Sequence, residues 1–353
     1  MSIQQHRKDE HVSLATQQYI DQPETDFDAI SFVHHSLPNI DVSEVSLATE
    51  FADMDFDVPI YINGMTGGSP KTAKINEELA IVARETGLAM AAGSVSAALK
   101  HSDVAESYTI IRKMNPNGKI FANLGAEHSV ENGKRAVDLL QADALQIHVN
   151  VPQELIMPEG ERRFATWLSS IENMVSQVGV PVIVKEVGFG MSRKTIQQLL
   201  NIGVKTIDIS GRGGTNFAAI ENSRRKHHDF YFAENWGQST PISLIEAYNQ
   251  SGACDILASG GIRTSLDMIK AFALGAHACG LSGQFLHLIQ EEGVDETIMT
   301  VNRWEEQLKI IMTLLGAKRL TELKKTDVIL RDPIKTWCEA RHIDWTHFAN
   351  RSK

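Results

Sequence analysis

Residues 144–150 read ALQIHVN, and VPQELIMPEG (151–160) follows at once. Leu145, Ile147 and Val149 alternate as on a buried strand, and successive side chains on a strand point to opposite faces. His148 and Asn150 therefore point away from the apolar face, and Gln153 and Glu154 read as part of the loop beyond it. Four polar side chains crowd the end of an apolar segment, which is the pattern of a strand that delivers chemistry at its C-terminal end.

Seven further short apolar runs share that form. They are VPIYING (58–64), GLAMAAG (87–93), KIFANLG (119–125), PVIVKEV (181–187), KTIDISG (205–211), DILASGG (255–261) and ACGLSG (278–283). Most are too short and too continuously apolar for surface strands, and read as strands covered on both faces, as a parallel sheet demands. Amphipathic helix patterns fill the gaps. In PKTAKINEELAIVARETG (70–87), Ile75, Leu79 and Val82 recur on one face and Gly87 can end the helix. RKTIQQLLNIG (193–203) and TSLDMIKAFALG (264–275) repeat the plan, and Thr264 with Asp267 is a variant of the capping box. Eight strand-helix units over about 225 residues predict an α/β fold of the (β/α)8 TIM-barrel type, which typically takes ~250 residues, ahead of a doubly wound open sheet. The domain spans residues 1–353, with an N-terminal extension (1–57) and a C-terminal helical extension (285–353). Residues 211–240 form a long insertion after the sixth strand, and long loops are functional or disordered. Its basic run RRKHH (224–228) reads as a solvated face.

Composition narrows the function classes. The 353 residues are 42% hydrophobic and 22% charged, as in a globular protein with a sizeable core. A net charge of −10, from 34 basic and 44 acidic residues, disfavours nucleic-acid binding but leaves room for a local basic pocket. The three cysteines are widely spaced with no CxxC pair, so a reducing cytoplasm is expected. The N-terminal residues lack the apolar run of a signal peptide, and no stretch approaches the roughly 20 apolar residues of a membrane span.

In a barrel, chemistry belongs at the C-terminal strand ends. Those ends supply Met65, Thr66 and Gly67; Ser94; Asn123; His148, Asn150, Gln153 and Glu154; Lys185; Ser210 and Thr215; Gly260, Gly261 and Arg263; and Ser282 and Gly283. Turns explain glycines but do not supply Asn, His and Lys within strands. ASGGIRT (258–264) and GLSGQFL (280–286) each run a strand through glycine into a helix, where backbone N–H groups and the helix dipole favour a phosphate. SGRGGTN (210–216) is a third Gly-rich loop, with Thr215 as a hydroxyl donor. A phosphorylated cofactor is therefore implied. Lys185 ends a Val/Ile run, and strand alternation separates it from Glu186 and turns it to the barrel mouth, where it can stabilise negative charge.

Taken in order, RKDEH (7–11), NGMTGGS (63–69), AAGS (91–94), ALQIHVNVPQELIMPEG (144–160), VPVIVKEVGFGMS (180–192), ISGRGGTNF (209–217) and ASGGIRT resemble the type 2 isopentenyl diphosphate isomerase family over nearly the whole chain. That resemblance implies an FMN-binding barrel that interconverts isopentenyl and dimethylallyl diphosphates with reduced FMN, Mg2+ and NADPH as reductant, the flavin N5 carrying protons. It implies that Met65, Thr66, Gly67, Ser94, Asn123, Lys185 and Thr215 contact the flavin, a set that Ser210 joins. Gly260, Gly261, Arg263, Ser282 and Gly283 are then expected around the flavin phosphate. Arg7 and Lys8 are expected to bind the substrate diphosphate, with Ser94, His148, Asn150 and Gln153 lining the substrate site. Gln153, His148 and Asn150 become the expected catalytic residues and Glu154 the expected Mg2+ ligand. The sequence departs from the family pattern at Gly283-Gln284, where many members have an Arg-Pro-like pair, and at Val95-Ser96. A homo-oligomer, from dimer to octamer, is expected.

The rival reading is an FMN-dependent 2-hydroxy-acid oxidase or dehydrogenase. Such enzymes carry a His-Gly-Gly-Arg type element after the sixth strand, where SGRGGTN has no histidine. A non-catalytic flavin or phosphate sensor needs neither Glu154 nor the basic pair at Arg7 and Lys8.

Overall fold

A computed structural model describes residues 3–19, 24–65, 67–250 and 252–352, with side chains from Lys8 onward. Eight parallel strands close on themselves in sequence order: β1 (Ile60–Ile62), β2 (Ala89–Ala91), β3 (Ile120–Gly125), β4 (Ala144–Val149), β5 (Val182–Glu186), β6 (Thr206–Asp208), β7 (Asp255–Ser259) and β8 (Ala278–Leu281). All eight predicted strands are present, and β8 pairs back onto β1 through Gly280 opposite Tyr61, so the open-sheet alternative is excluded.

Local signals set the helices. Pro70–Thr86 opens on Ser69, whose hydroxyl accepts from the Thr72 amide, and stops at Gly87 with φ 69°. Thr264 and Asp267 form the reciprocal capping box that starts Ser265–Ala273. Strand alternation then sorts the core into two layers. Leu145, Ile147 and Val184 face the helices, within the large outer cluster. Ala89, Phe121, Ala144, Ile183 and Leu257 face inward and fill the barrel.

The two extensions complete this body. An N-terminal hairpin, Thr49–Phe51 with Met54–Phe56, carries Phe51 and Phe56 into the inner cluster, their rings stacked at 4.0 Å and 9°. The Ala52 amide donates to the Asp255 carboxylate (3.0 Å), and Thr49 donates to the His277 carbonyl (2.8 Å). The C-terminal extension is not purely helical: Val328–Leu330 pairs antiparallel with Ile30–Phe32, because a lone three-residue edge of either segment would leave its ladder groups unmet.

The insertion after β6 folds into the helix Phe217–Ser223 and a single turn at Tyr231–Ala233. Its basic run is a solvated face only from Lys226 onward. Arg224 is instead packed against acids, 3.0 Å from Glu10, 2.8 Å from Glu159 and 2.5 Å from Glu221. Arg225 donates to the Ile156 carbonyl (2.9 Å) and covers the Phe230 ring at 4.1 Å. The short helix turns the first two arginines of the run inward, which residue type alone does not reveal. Among the described residues no helix is long and apolar enough to cross a membrane, and the three cysteines are buried and unpaired.

The plug generates a test. Phe51→Ala deletes a ring that is 2% exposed, and should cost about 3–5 kcal/mol in urea unfolding. A loss under about 1 kcal/mol would show that the hairpin does not seal the barrel.

Candidate active site

At the C-terminal strand ends the barrel opens into a cavity of about 610 Å³, within the range of small-molecule sites. Its floor is polar. Asp208, on β6 and fully buried, accepts from the Tyr61 hydroxyl (2.6 Å), Asn63 Nδ2 (2.9 Å), the Ser259 hydroxyl (2.7 Å) and the Ser210 amide (3.1 Å). Asn63 Oδ1 accepts from Gln146 Nε2 (3.2 Å), Gln146 Oε1 accepts from Asn123 Nδ2 (2.7 Å), and Asn123 Oδ1 meets His148 Nδ1 (2.9 Å). Burial, with Lys8 and Lys185 nearby, pushes the His148 pKa down to about 3. The ring is therefore neutral throughout the physiological range.

Lys185 stands opposite Asp208 in the β5–β6 register. Its Nζ donates to the Glu186 carbonyl (2.6 Å) and to the Ser210 hydroxyl (3.2 Å). The Glu186 carboxylate points elsewhere, accepting from the Val187, Gly188 and Phe189 amides. Strand alternation thus turns Lys185 to the cavity, as expected. Burial lowers its pKa, opposed by Asp208 and Glu186.

Two glycine loops pack backbone to backbone on one side. A Cβ on Gly260 (φ 90°) would lie 2.0 Å from the Gly211 carbonyl oxygen, and one on Gly261 would lie 2.9 Å from Gly213. Beside them the helix Gly283–Glu291 starts at Ser282 with no side-chain cap, so its first amides remain for a ligand. A Cβ on Gly283 would sit 3.4 Å from Thr215 Oγ1. The helix after Gly261 differs, because Asp267 already accepts from the Arg263 and Thr264 amides (3.2 and 3.1 Å). Any anion there meets the loop and the uncapped helix, not that helix start. Glycine loops, an uncapped helix and a buried lysine together fit a phosphorylated ring cofactor.

The opposite wall comes from β4. Gln153 and Glu154 lie in a short helix, Val151–Ile156, rather than in a loop, because Pro152 at its first turn fits helix geometry and Asn150 precedes it. Asn150 Nδ2 donates to Gln153 Oε1 and to Glu154 Oε1, each at 3.0 Å. Gln153 Nε2 donates to Glu221 Oε1 (3.1 Å), which also meets His11 Nε2 (2.9 Å). Burial raises Glu221, but contacts with His11, Arg224 and Gln153 outweigh it and hold the carboxyl below its usual range. Glu154 Oε2 accepts from the Glu161 amide (2.7 Å).

The cavity wall brings together Lys8, Met65, Ser94, Asn123, His148, Asn150, Gln153, Glu154, Lys185, Ser210, Thr215, Gly260, Gly261, Arg263, Ser282 and Gly283. Gly67 does not line it: a Cβ there would meet the Tyr108 ring at 2.0 Å, so its glycine serves packing. Thr66 and the Arg7 side chain lie outside the described residues. Asn63, Gln146, Asp208, His11 and Glu221 were not expected from sequence. An aspartate inside the run TIDIS, and a glutamine between Leu145 and Ile147, were visible signals for two of them. Nothing local marks His11 or Glu221, which meet only in the fold.

The family model for FMN-dependent dehydrogenases matches residues 99–330. An isopentenyl-diphosphate delta-isomerase from Staphylococcus saprophyticus is 50% identical over 338 residues, 96% of this chain and 97% of that protein. One from Staphylococcus aureus is 51% identical over the same shares. Among solved structures, a mandelate oxidase variant with a monooxide FMN adduct gives a TM-score of 0.61 at 18% identity, covering 91% of this chain and 92% of that one. A flavocytochrome b2 variant with pyruvate bound gives 0.63 at 20%, covering 84% and 75%. At those identities the solved structures show the shared barrel alone.

Two outcomes follow from this geometry. Gly260→Ala forces apart the two loop backbones, so FMN affinity measured by flavin fluorescence should fall at least ~10-fold, about 1.4 kcal/mol; unchanged affinity would contradict the cradle. His148, lowered from 6.5, binds a proton in the unfolded chain at pH values where the fold excludes it. Its contribution to stability is complete above pH 6.5 and is lost as pH falls from there towards about 3. Imidazole NMR signals should show His148 not titrating between about pH 5 and 8.

Proposed function

We infer the reaction from membership: the chain belongs to the isopentenyl-diphosphate delta-isomerase family, within the FMN-dependent dehydrogenase group, and is an enzyme that interconverts isopentenyl and dimethylallyl diphosphates. The observation that carries the residue assignments is the wall built by β4. It sets a neutral imidazole, two carboxamides and a carboxylate against a cavity whose other side is an anion cradle. The rival oxidase reading needs an imidazole base after β6. There the chain has Gly211 to Thr215, with Arg212 turned to the Asn235 carbonyl at 2.6 Å.

Isomerisation adds one proton to the allylic system and removes another, with no net redox change. When bound and reduced, FMN supplies an electron-rich ring able to exchange protons beside the alkene. Lys185, Asn123, Met65, Ser94, Ser210 and Thr215 are proposed to hold its ring and chain, with Thr66 and Gly67 next to them. Gly260, Gly261, Ser282, Gly283 and Arg263 are proposed to hold its phosphate. Lys185, desolvated and tied to Ser210, favours negative charge on whatever lies over it.

The substrate half belongs to His148, Asn150 and Gln153, with Ser94 at its edge. The Gln153 amide cannot ionise. Its orientation is fixed from two sides by Asn150 and Glu221, so it holds the reacting carbons in place instead of carrying the proton itself. Lys8 and Arg7 are proposed to take the diphosphate. Among the described residues no three His, Cys, Asp or Glu side chains cluster as a metal cage. Mg2+ is bound in such sites through one or two carboxylates plus substrate phosphates. Glu154 is the proposed carboxylate, NADPH the proposed reductant, and a cytoplasmic homo-oligomer of two to eight copies the proposed form.

Gln153→Ala should lower isomerase turnover by about 100-fold or more while FMN affinity stays within a factor of about 2. Equal loss of both would remove Gln153 from the reacting centre. Glu154→Gln should shift the Mg2+ concentration for half-maximal activity upward about 10-fold or more. An unchanged titration would exclude Glu154 as ligand.

A further inference from the structure

The floor of the cavity holds a chain of side chains whose lower links, Asp208, Asn63 and Gln146, the reaction scheme does not use. It runs from Asp208 through Asn63, Gln146 and Asn123 to His148. Every link but the last is a carboxylate or a carboxamide. All but His148 are at least nine-tenths buried, so unmet groups there are costly. A carboxylate accepts only, whereas a carboxamide has one accepting end and one donating end. A chain anchored on a carboxylate therefore has a direction.

That direction can be followed atom by atom. Asp208 Oδ2 can only accept, so Asn63 presents Nδ2 to it (2.9 Å). A second anchor agrees: the Gly64 amide can only donate, and it reaches Asn63 Oδ1 at 2.9 Å. With Asn63 Oδ1 turned upward, Gln146 must present Nε2 to it (3.2 Å), which leaves Gln146 Oε1 for Asn123 Nδ2 (2.7 Å). Asn123 Oδ1 then faces His148 Nδ1 at 2.9 Å, and an oxygen in that position requires a proton on Nδ1. Isolated carboxamides can take either of two orientations. Here two anchors that cannot reverse, a carboxylate and a backbone N–H, impose one.

We propose that Gln146 is a positioning residue that transmits this direction from Asn63 to Asn123 and so fixes His148 as the Nδ1–H tautomer, with Nε2 left as a hydrogen-bond acceptor at the cavity wall. His148 then receives a donor from its ligand and gives none through Nε2. A hydroxyl, an ammonium or a protonated phosphate oxygen fits that edge, and a bare phosphate oxygen does not. The inference stands whether or not His148 meets the alkene, because the tautomer can be read without substrate.

The test is 15N NMR of histidine-labelled, FMN-loaded protein at pH 7, with His148 assigned by its loss in His148→Asn. Wild type should show a protonated, pyrrole-type Nδ1 and an unprotonated, pyridine-type Nε2. Gln146→Met keeps the bulk but has no donor or acceptor direction, so both nitrogens should move to intermediate, averaged shifts. Gln146→Glu, charged or protonated, still accepts from Asn123 and should restore the wild-type pattern. Tyr61→Phe removes one donor to Asp208 and a 3.4 Å contact with Asn63 Nδ2 but leaves the Asn63–Asp208 hydrogen bond that sets the direction, so the tautomer should stay unchanged. Turnover in Gln146→Met should fall about 10- to 100-fold, with partial rescue in Gln146→Glu. Should Gln146→Met fail to fold, Asn63→Leu cuts the chain one link lower and must mix the tautomers too. A wild-type Nε2–H form, or a tautomer indifferent to Gln146→Met or Asn63→Leu, would overturn the proposal. A switched tautomer with unchanged turnover would leave it intact and remove His148 from catalysis instead.

Discussion

A carboxylate with no solvent contact sits in the middle of the barrel. Asp208 is 0% exposed, and a buried charge persists only where hydrogen bonds replace its water. Its two oxygens collect donors from β1, β6, β7 and the segments leaving them: the Tyr61 hydroxyl, the Asn63 amide, the Ser259 hydroxyl and the Ser210 backbone N–H. Below this level the interior is hydrocarbon, with Phe121, Ile183, Leu257 and the inserted Phe51 and Phe56 rings. Above it the lining is polar. The demand of one carboxylate thus sets the depth at which the core ends and the site begins, and makes the floor rigid because each partner is bonded again to a neighbour.

The rim is built by other means. Its glycine side depends on backbones approaching within van der Waals contact, which Gly260 and Gly261 permit together with Gly213 and Gly214 facing them. Its β4 side depends on a second, more exposed charge cluster. Arg224 draws together Glu10, Glu159 and Glu221, and Glu221 in turn orients Gln153 and meets His11. The N-terminal helix Ile3–Gln17, the segment after β4 and the insertion after β6 are distant in sequence, and this cluster binds all three to one wall. The floor is held by neutral donors in low dielectric, the wall by ion pairs nearer to water. The wall is therefore the part more sensitive to salt.

Sequence alone carried the barrel and most of the strand-end residues, for physical reasons. Strands covered on both faces are continuous apolar runs, and a polar residue such as Lys185 or His148 interrupting one has few structural excuses. The glycine pairs pointed to the proposed anion cradle in the same way. What escaped were side chains whose role depends on a distant partner. Arg224 reads as one member of a solvated basic run until its three acids are placed around it. Gln146 is a polar residue on a strand until Asn63 and Asn123 fix both of its ends. Gly67 sits in a conspicuous NGMTGGS motif, yet answers to the Tyr108 ring. Helix Val151–Ile156 was hidden by its shortness, since six residues show no full amphipathic period.

The proposed reaction moves a double bond without net oxidation, its FMN reduced before and after turnover. The direct measurement is anaerobic photoreduction of the FMN-loaded protein with Mg2+, followed by proton NMR of added isopentenyl diphosphate and by the flavin absorbance of the same sample. Dimethylallyl diphosphate should accumulate to equilibrium over many turnovers while the flavin stays reduced. No conversion by the reduced protein, or reduction of the oxidised, FMN-loaded protein by a 2-hydroxy acid, would contradict this chemistry.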